Sequence, residues 1–196
     1  MRDRAKRRAL AAVVLVALVG CAPAIARVAA NGLAYSSASA QVVQRQPQAG
    51  SCHARGSGLY SRPDARCTPG ALNPAVSQST IGATICRRGW TKGARPPESV
   101  TEPEKRASMR AYGDGTGTSR FEYDHLVPLE LGGAANDPRN LWPEPDYPGG
   151  ASGFYLNPKD ELENALKRLV CSGRIALSQA QHAIAADWVA AYRRYG

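Results

Sequence analysis

The stretch DHLVPLELGG at residues 124–133, followed six residues later by NLWP at 140–143, decides how this chain folds. The residues from 121 to 127 are strand-like, and the Pro- and Gly-containing segment after them is rich in turn formers. The NLW triplet then begins a second short strand. The pattern therefore predicts two strands joined by a tight, glycine-containing loop.

Two amphipathic helices follow the strands. The first opens at Asn157-Pro158 and ends at Gly173, and the second begins near Ser178, which Gln181 follows at capping-box spacing. Apolar residues recur at helical spacing in both: Leu162, Leu166, Leu169 and Val170 in the first, and Ile184, Trp188 and Tyr192 in the second. A further helix is predicted over residues 102–112. The order of elements predicts an α+β fold for residues 101–196.

Asp124 and His125 are side chains that suit metal-dependent phosphodiester hydrolysis. A hard cation is held by oxygen or imidazole ligands, and a histidine supplies a base that is largely neutral near pH 7. Neighbours on a strand point to opposite faces, so the strand must bend for both to act on one phosphate. Asn140, on the facing strand, can fix the loop that carries the pair. An Asp-His pair alone is typical of many surfaces, but its combination with the glycines and Asn140 is specific.

The pattern D-H-x-x-P-L-x-x-G-G, then N-L-W-P-E, resembles the HNH endonuclease family over about residues 112–166. The K-D-x-L-E helix and the upstream R-C-T-P-G segment are similar to an exported bacterial subgroup. The resemblance implies a ββα-metal core, a hairpin followed by a helix, with additional helices and a disulfide-rich N-terminal extension. It also implies that Asp124 is a metal ligand, that His125 is the general base, and that Asn140 orients the loop of His125.

The third residue of the family's motif departs from the pattern, because no histidine stands between His125 and His182. The residue in register is Asn157, which makes the chain an H-N-N variant. An asparagine oxygen can bind Mg²⁺ or Mn²⁺, the predicted cofactors, but is a poor zinc ligand. Asparagine before proline at a helix start is also a typical N-cap, so ligand and cap both remain open. Asp160 is the alternative ligand.

Arg139 and Lys159 are the predicted phosphate contacts for a nucleic-acid substrate, which would bind with little sequence preference. Lys167 and Arg168 could serve the same purpose or could form a solvated helix face. Glu130 could brace the hairpin or reach the metal through water.

The N-terminus predicts export. Five basic residues within the first eight precede an uncharged apolar run at residues 10–19, which is too short to span a bilayer comfortably. Residues 1–26 are therefore a predicted signal, cleaved either before Cys21, which would carry a lipid anchor to the membrane, or after Ala26. The product would be lipid-anchored in the cell envelope, or secreted or periplasmic. Residues 27–50, rich in Ala, Ser and Gln, are predicted to be a flexible tether.

Residues 51–100 form a predicted Cys-, Gly- and Pro-rich extension. With Cys21 set aside, the four cysteines Cys52, Cys67, Cys86 and Cys171 predict two disulfides in an exported chain. Three pairings are open, and the short Gly- and Pro-rich loop favours Cys52 with Cys67, which leaves Cys86 with Cys171. A zinc site is disfavoured because no pair has the C-x-x-C spacing.

The sequence thus predicts an exported, metal-dependent endonuclease that hydrolyses phosphodiester bonds in DNA, or in RNA. The net charge of +9 is only a weak argument, because removal of the signal would leave a mild basic excess. The alternative is a non-catalytic binding module of the cell envelope on the same scaffold. Asn157 separates the two: a side chain that only caps its helix favours the binding module.

Overall fold

The protein is represented by a computed structural model that describes residues 28–29, 31–115, 117–146 and 157–196. The predicted export signal and Cys21 lie outside the described residues. The strands are β1 (Ala34–Tyr35), β2 (Ala71–Leu72), β3 (Phe121–His125) and β4 (Leu141–Pro145). The helices are α1 (Trp90–Ala94), α2 (Glu98–Ala111), α3 (Pro158–Cys171) and α4 (Leu177–Tyr195). The mixed α+β class agrees with the prediction, and no helix among the described residues is both long and apolar enough to cross a membrane.

Strands β3 and β4 form an antiparallel hairpin in which His125 pairs with Leu141 and Phe121 pairs with Pro145. A proline cannot donate to the ladder, but a two-stranded sheet leaves one edge of each strand without a partner, so β4 tolerates its prolines. Strand β3 ends two residues earlier than predicted. The reason is that the backbone of Val127 bonds the Asn140 side chain instead of continuing the ladder.

The loop between β3 and β4 is held by the wholly buried amide of Asn140. Its Oδ1 accepts from the Val127 N–H at 3.0 Å, and its Nδ2 donates to the carbonyls of Val127 at 2.9 Å and Ala134 at 3.1 Å. Gly133 makes this approach possible, because a Cβ at that position would lie 1.7 Å from the Val127 oxygen. The second glycine of the motif is therefore a packing requirement as well as a turn residue.

Helices α3 and α4 pack on each other and on this loop, where they bury most of the apolar residues predicted to be in the core. Two details differ from prediction. The α4 N-terminus is at Leu177, whose N–H donates to the Gln78 side chain. The helix also breaks at Asp187, whose carboxylate then accepts from the N–H groups of Val189 and Ala190 and starts a new helical segment.

The described part of residues 27–50 is not a flexible tether, which corrects that prediction. β1 pairs in parallel with β2, and the Asn136 amide donates to the carbonyls of Ser39 and Val42 at 2.9 Å each. Hydrogen bonds attach this segment to the body of the protein, and Ala29, Leu33 and Tyr35 also pack against the hydrophobic core. These apolar residues follow no sustained helical or strand period, so hydrophobic periodicity does not reveal the docking.

Both disulfides follow the favoured pairing, Cys52 with Cys67 and Cys86 with Cys171. The second joins the extension to the last residue of α3. Leu72, Val76 and Ile85 of the extension belong to the same hydrophobic core as α3 and α4. The Cys-rich extension is therefore continuous with the rest of the fold.

Substitution of Gly133 by alanine is expected to destabilise the protein by about 3 kcal/mol, the upper range for overpacking, because the new methyl group meets backbone that cannot move away. Urea unfolding monitored by circular dichroism gives the free energy of unfolding of the variant and of the wild-type protein. The matched control is Gly82→Ala, where the added Cβ meets open space. Equal stability of the two variants would contradict the close packing at Gly133.

Candidate active site

Asp124 and His125 lie at the end of β3 and share one cleft of about 200 Å³, although neighbours on a strand point to opposite faces. The strand ends at His125, and the turn that follows lets both side chains reach the same space. The other residues that line the cleft are Arg95, Pro128, Leu129, Glu130, Asp160, Glu163 and Asn164.

His125 is almost buried, with 7% of its surface exposed. Its Nε2 lies 3.0 Å from the Ala135 carbonyl oxygen, which can only accept, so Nε2 carries the hydrogen and Nδ1 keeps a lone pair. Burial lowers the pKa of His125 more than the charge of Asp124 raises it. The imidazole is therefore neutral near pH 7 and can accept a proton.

Lys159 is wholly buried under the hairpin, which corrects its prediction as a phosphate contact. Its Nζ donates to Asp124 Oδ2 and, at 2.5 Å, to Glu163 Oε1. It also lies 3.4 Å from Glu144 Oε2. The ammonium thus connects α3 to β3 and β4 from inside the protein, where a phosphate cannot reach it.

The pKa values in this cluster follow from burial and from the one ammonium. Burial alone would raise the pKa of Asp124, but the charges of Lys159 and His125 together with hydrogen bonds from Glu144 and Lys159 lower it. Burial raises the pKa of Glu163 to about 8 and that of Glu144 well above its usual value. Near neutral pH the Asp124 carboxylate balances the Lys159 ammonium, while Glu144 and Glu163 retain their protons.

Asn157 is the N-cap of α3. Its Oδ1 accepts from the N–H groups of Lys159 at 2.8 Å and Asp160 at 3.1 Å, and the Asp160 carboxylate accepts from the Asn157 N–H in return. The backbone N–H groups of Lys159 and Asp160 therefore occupy both lone pairs of the Asn157 Oδ1 atom. This capping box corrects the prediction that Asn157 is a metal ligand. It favours the other role left open by the sequence, that of a helix N-cap.

The remaining predicted residues lie in ion pairs. The Arg139 guanidinium forms two hydrogen bonds with the Asp137 carboxylate, at 2.6 and 3.0 Å. Arg139 lines neither this cleft nor a second one, between α2 and β3, that also reaches His125. Glu130 pairs with Lys167 at 3.0 Å, so this glutamate braces the hairpin against α3. Neither Arg139 nor Lys167 presents a free charge to the cleft.

Sequence reasoning missed Glu144, Glu163 and Arg95. Glu163 could have been found, because it follows Lys159 by four residues and the two share one face of α3. Glu144 follows the NLWP motif directly, but nothing in its spacing marks it as buried. Arg95 comes from the extension, and only the three-dimensional fold brings it to His125.

The donors along the cleft fit a hard divalent cation. Asp124 and Asp160 both line it, and the charge of Asp124 contributes to the raised pKa of Asp160, after burial as the main cause. A cation bound by both carboxylates would relieve this repulsion. Among the described residues no group of three or more His, Cys, Asp or Glu side chains is placed to hold a metal. Mg²⁺ needs no such cage, because one or two carboxylates with waters and substrate phosphates suffice.

Comparison with known proteins finds no family model, no curated protein and no solved structure that matches this chain. We therefore infer the function from the motif and from the geometry of this site.

Replacement of Lys159 by methionine is expected to destabilise the protein by about 3–5 kcal/mol, because the buried Asp124 carboxylate loses its counter-ion. Urea unfolding at pH 7 measures the change. The control is Lys167→Met, which removes a partly exposed ion pair and should cost about 1 kcal/mol or less. A Lys159 variant as stable as this control would show that the ammonium does not stabilise the hairpin.

Proposed function

We propose that this protein is a metal-dependent endonuclease of the HNH type that hydrolyses phosphodiester bonds in DNA, or in RNA, with low sequence specificity. The observation that carries the proposal is the state of His125. It is a neutral imidazole with its Nε2 hydrogen engaged and its Nδ1 free to accept, at a cleft shared with Asp124 and Asp160.

In the proposed reaction, His125 is the general base that activates a water molecule. His125 Nδ1 takes a proton from a water molecule as the water oxygen bonds to phosphorus, and the bond to the leaving sugar oxygen breaks on the opposite side. Asn140 and the Ala135 carbonyl keep the imidazole in one position and one tautomer. Asp124 and Asp160 would hold Mg²⁺ or Mn²⁺, which supplies stabilisation of the charge that develops on the phosphate.

The cellular location is part of the proposal. Two disulfides are typical of proteins in an oxidising environment, and the N-terminal sequence favours export to the cell envelope or beyond. We therefore propose that the nuclease acts outside the cytoplasm, either free or held at the membrane through a lipid on Cys21.

One observation favours a second candidate, the non-catalytic binding module. Asn157 uses its oxygen to cap α3, and Lys159 already supplies a cation to Asp124. A chain with these features could keep the hairpin and bind an envelope ligand without turnover. Nucleic-acid binding without cleavage would favour this alternative.

The direct test is digestion of supercoiled plasmid by the oxidised protein with Mg²⁺ or Mn²⁺, with and without a chelator. We expect nicked and linear products that disappear with the chelator. His125→Ala should lower the rate by at least about 100-fold, the usual contribution of a general base. The matched control is His182→Ala, since His182 is exposed on α4, away from both clefts. Activity that survives both the chelator and the loss of His125 would contradict the mechanism.

The pH profile follows from the lowered pKa of His125. A general base works in its deprotonated form, so kcat/KM should be constant above this pKa and fall as the pH drops through it. Because burial places the pKa below the ordinary value of 6.5, the acidic limb should lie below pH 6.5. Initial rates on a labelled oligonucleotide between pH 4.5 and 8.5 measure it. An acidic limb above that value would exclude the buried imidazole as the base.

A further inference from the structure

Arg95 is an exposed arginine between two clefts that meet at His125. The first cleft holds Asp124. The second, of about 280 Å³, lies between α2 and β3. Within the described part of the chain, the guanidinium forms no ion pair or hydrogen bond, and its positive charge contributes to the lowered pKa of His125 after burial and other causes.

The segment that carries Arg95 is fixed at both ends. Cys86, nine residues before it, is joined to Cys171 at the end of α3. Helix α1, which ends at Ala94, packs on the Leu129–Leu131 turn of the hairpin loop. Pro96 and Pro97 follow, and their restricted backbone leads directly into α2. Arg95 is therefore held beside His125 by the fold, without a partner for its charge.

Most of the charged residues that line the two clefts beside Arg95 are acidic. Acidic residues from α2, β3, the hairpin loop, the end of β4 and α3 line the two clefts: Glu102, Glu122, Asp124, Glu130, Asp146, Asp160 and Glu163. Some of them are paired or protonated, but none attracts a phosphate. Among the described residues that line these clefts, Arg95 and Lys105 are the permanently cationic ones. Lys105 lies in the second cleft, on α2.

We propose that Arg95 binds a backbone phosphate next to the one that is cleaved, and that the nucleic-acid strand continues from there through the second cleft past Lys105. The inference rests on the proposed nuclease function and names the ligand of that site as a polyphosphodiester strand. A planar guanidinium can hold two phosphate oxygens at once, whereas an ammonium acts as a point charge. Arg95 is accordingly the main anchor and Lys105 the weaker contact.

The test separates binding from cleavage. A fluorescein-labelled single-stranded oligonucleotide is titrated with the His125→Ala protein by fluorescence anisotropy at 50 to 200 mM salt. Adding Arg95→Gln should weaken binding about tenfold, as expected for the loss of a charge-assisted hydrogen bond, and should reduce the salt slope by about 0.7. Lys105→Gln should give a smaller loss, and Arg95→Lys should restore binding only in part.

The matched control is Arg88→Gln, an exposed arginine of the same segment that lines neither cleft. It should leave binding unchanged, and neither substitution should alter the melting temperature. Equal binding by the Arg95 and Arg88 variants, in a protein that cleaves DNA, would overturn the inference alone. If the wild-type protein cleaves nothing but Arg95→Gln still weakens binding, the nuclease proposal falls and the phosphate contact remains.

Discussion

The side-chain amide of Asn140 supplies the hydrogen bonds that the loop between β3 and β4 cannot make within itself. It joins Val127, the second residue after β3, to Ala134 beyond the glycine pair. Its oxygen also lies 3.4 Å from the backbone nitrogen of Ala71 in the extension. This one buried group fixes the backbone beside His125, requires the close approach that Gly133 permits, and adds to the backbone hydrogen bonds that dock β2 on the loop. Replacing it with an apolar side chain would leave several buried backbone groups unsatisfied at once.

A second constraint is the charge inside the hairpin. Three carboxyl groups surround the ammonium of Lys159. Burial raises the pKa of Glu144 and Glu163, whereas nearby charges, that of Lys159 first, and hydrogen bonds lower the pKa of Asp124. The result is a nearly neutral interior next to a carboxylate-rich cleft. A phosphate can approach such a cleft only if cations offset the negative charge. The proposed metal and Arg95 would supply that positive charge. The same arrangement fixes Asp124 from behind and leaves its exposed side facing the cleft.

Much of this architecture could be predicted from local sequence. The hairpin, the helix that opens at Asn157-Pro158 and the two disulfides follow from turn residues, caps and cysteine spacing. Local patterns could not show where long side chains go. Lys159 was predicted to contact phosphate but is buried, because its partners Asp124 and Glu144 lie on β3 and β4 and cannot be inferred from the spacing within α3. The docking of residues 31–50 was also invisible, because it combines backbone hydrogen bonds with a few apolar side chains, such as Leu33 and Tyr35, that follow no sustained period. Arg95 reaches the site by tertiary folding alone.

The bond between Cys86 and Cys171 spans 85 residues of sequence, and every residue assigned to the candidate site lies inside that span. Arg95, the hairpin and the start of α3 therefore belong to one covalent ring. A single cut of the backbone anywhere in that ring would open it without releasing a fragment. As long as this disulfide is intact, the first proteolytic cleavage does not separate the parts of the site from one another.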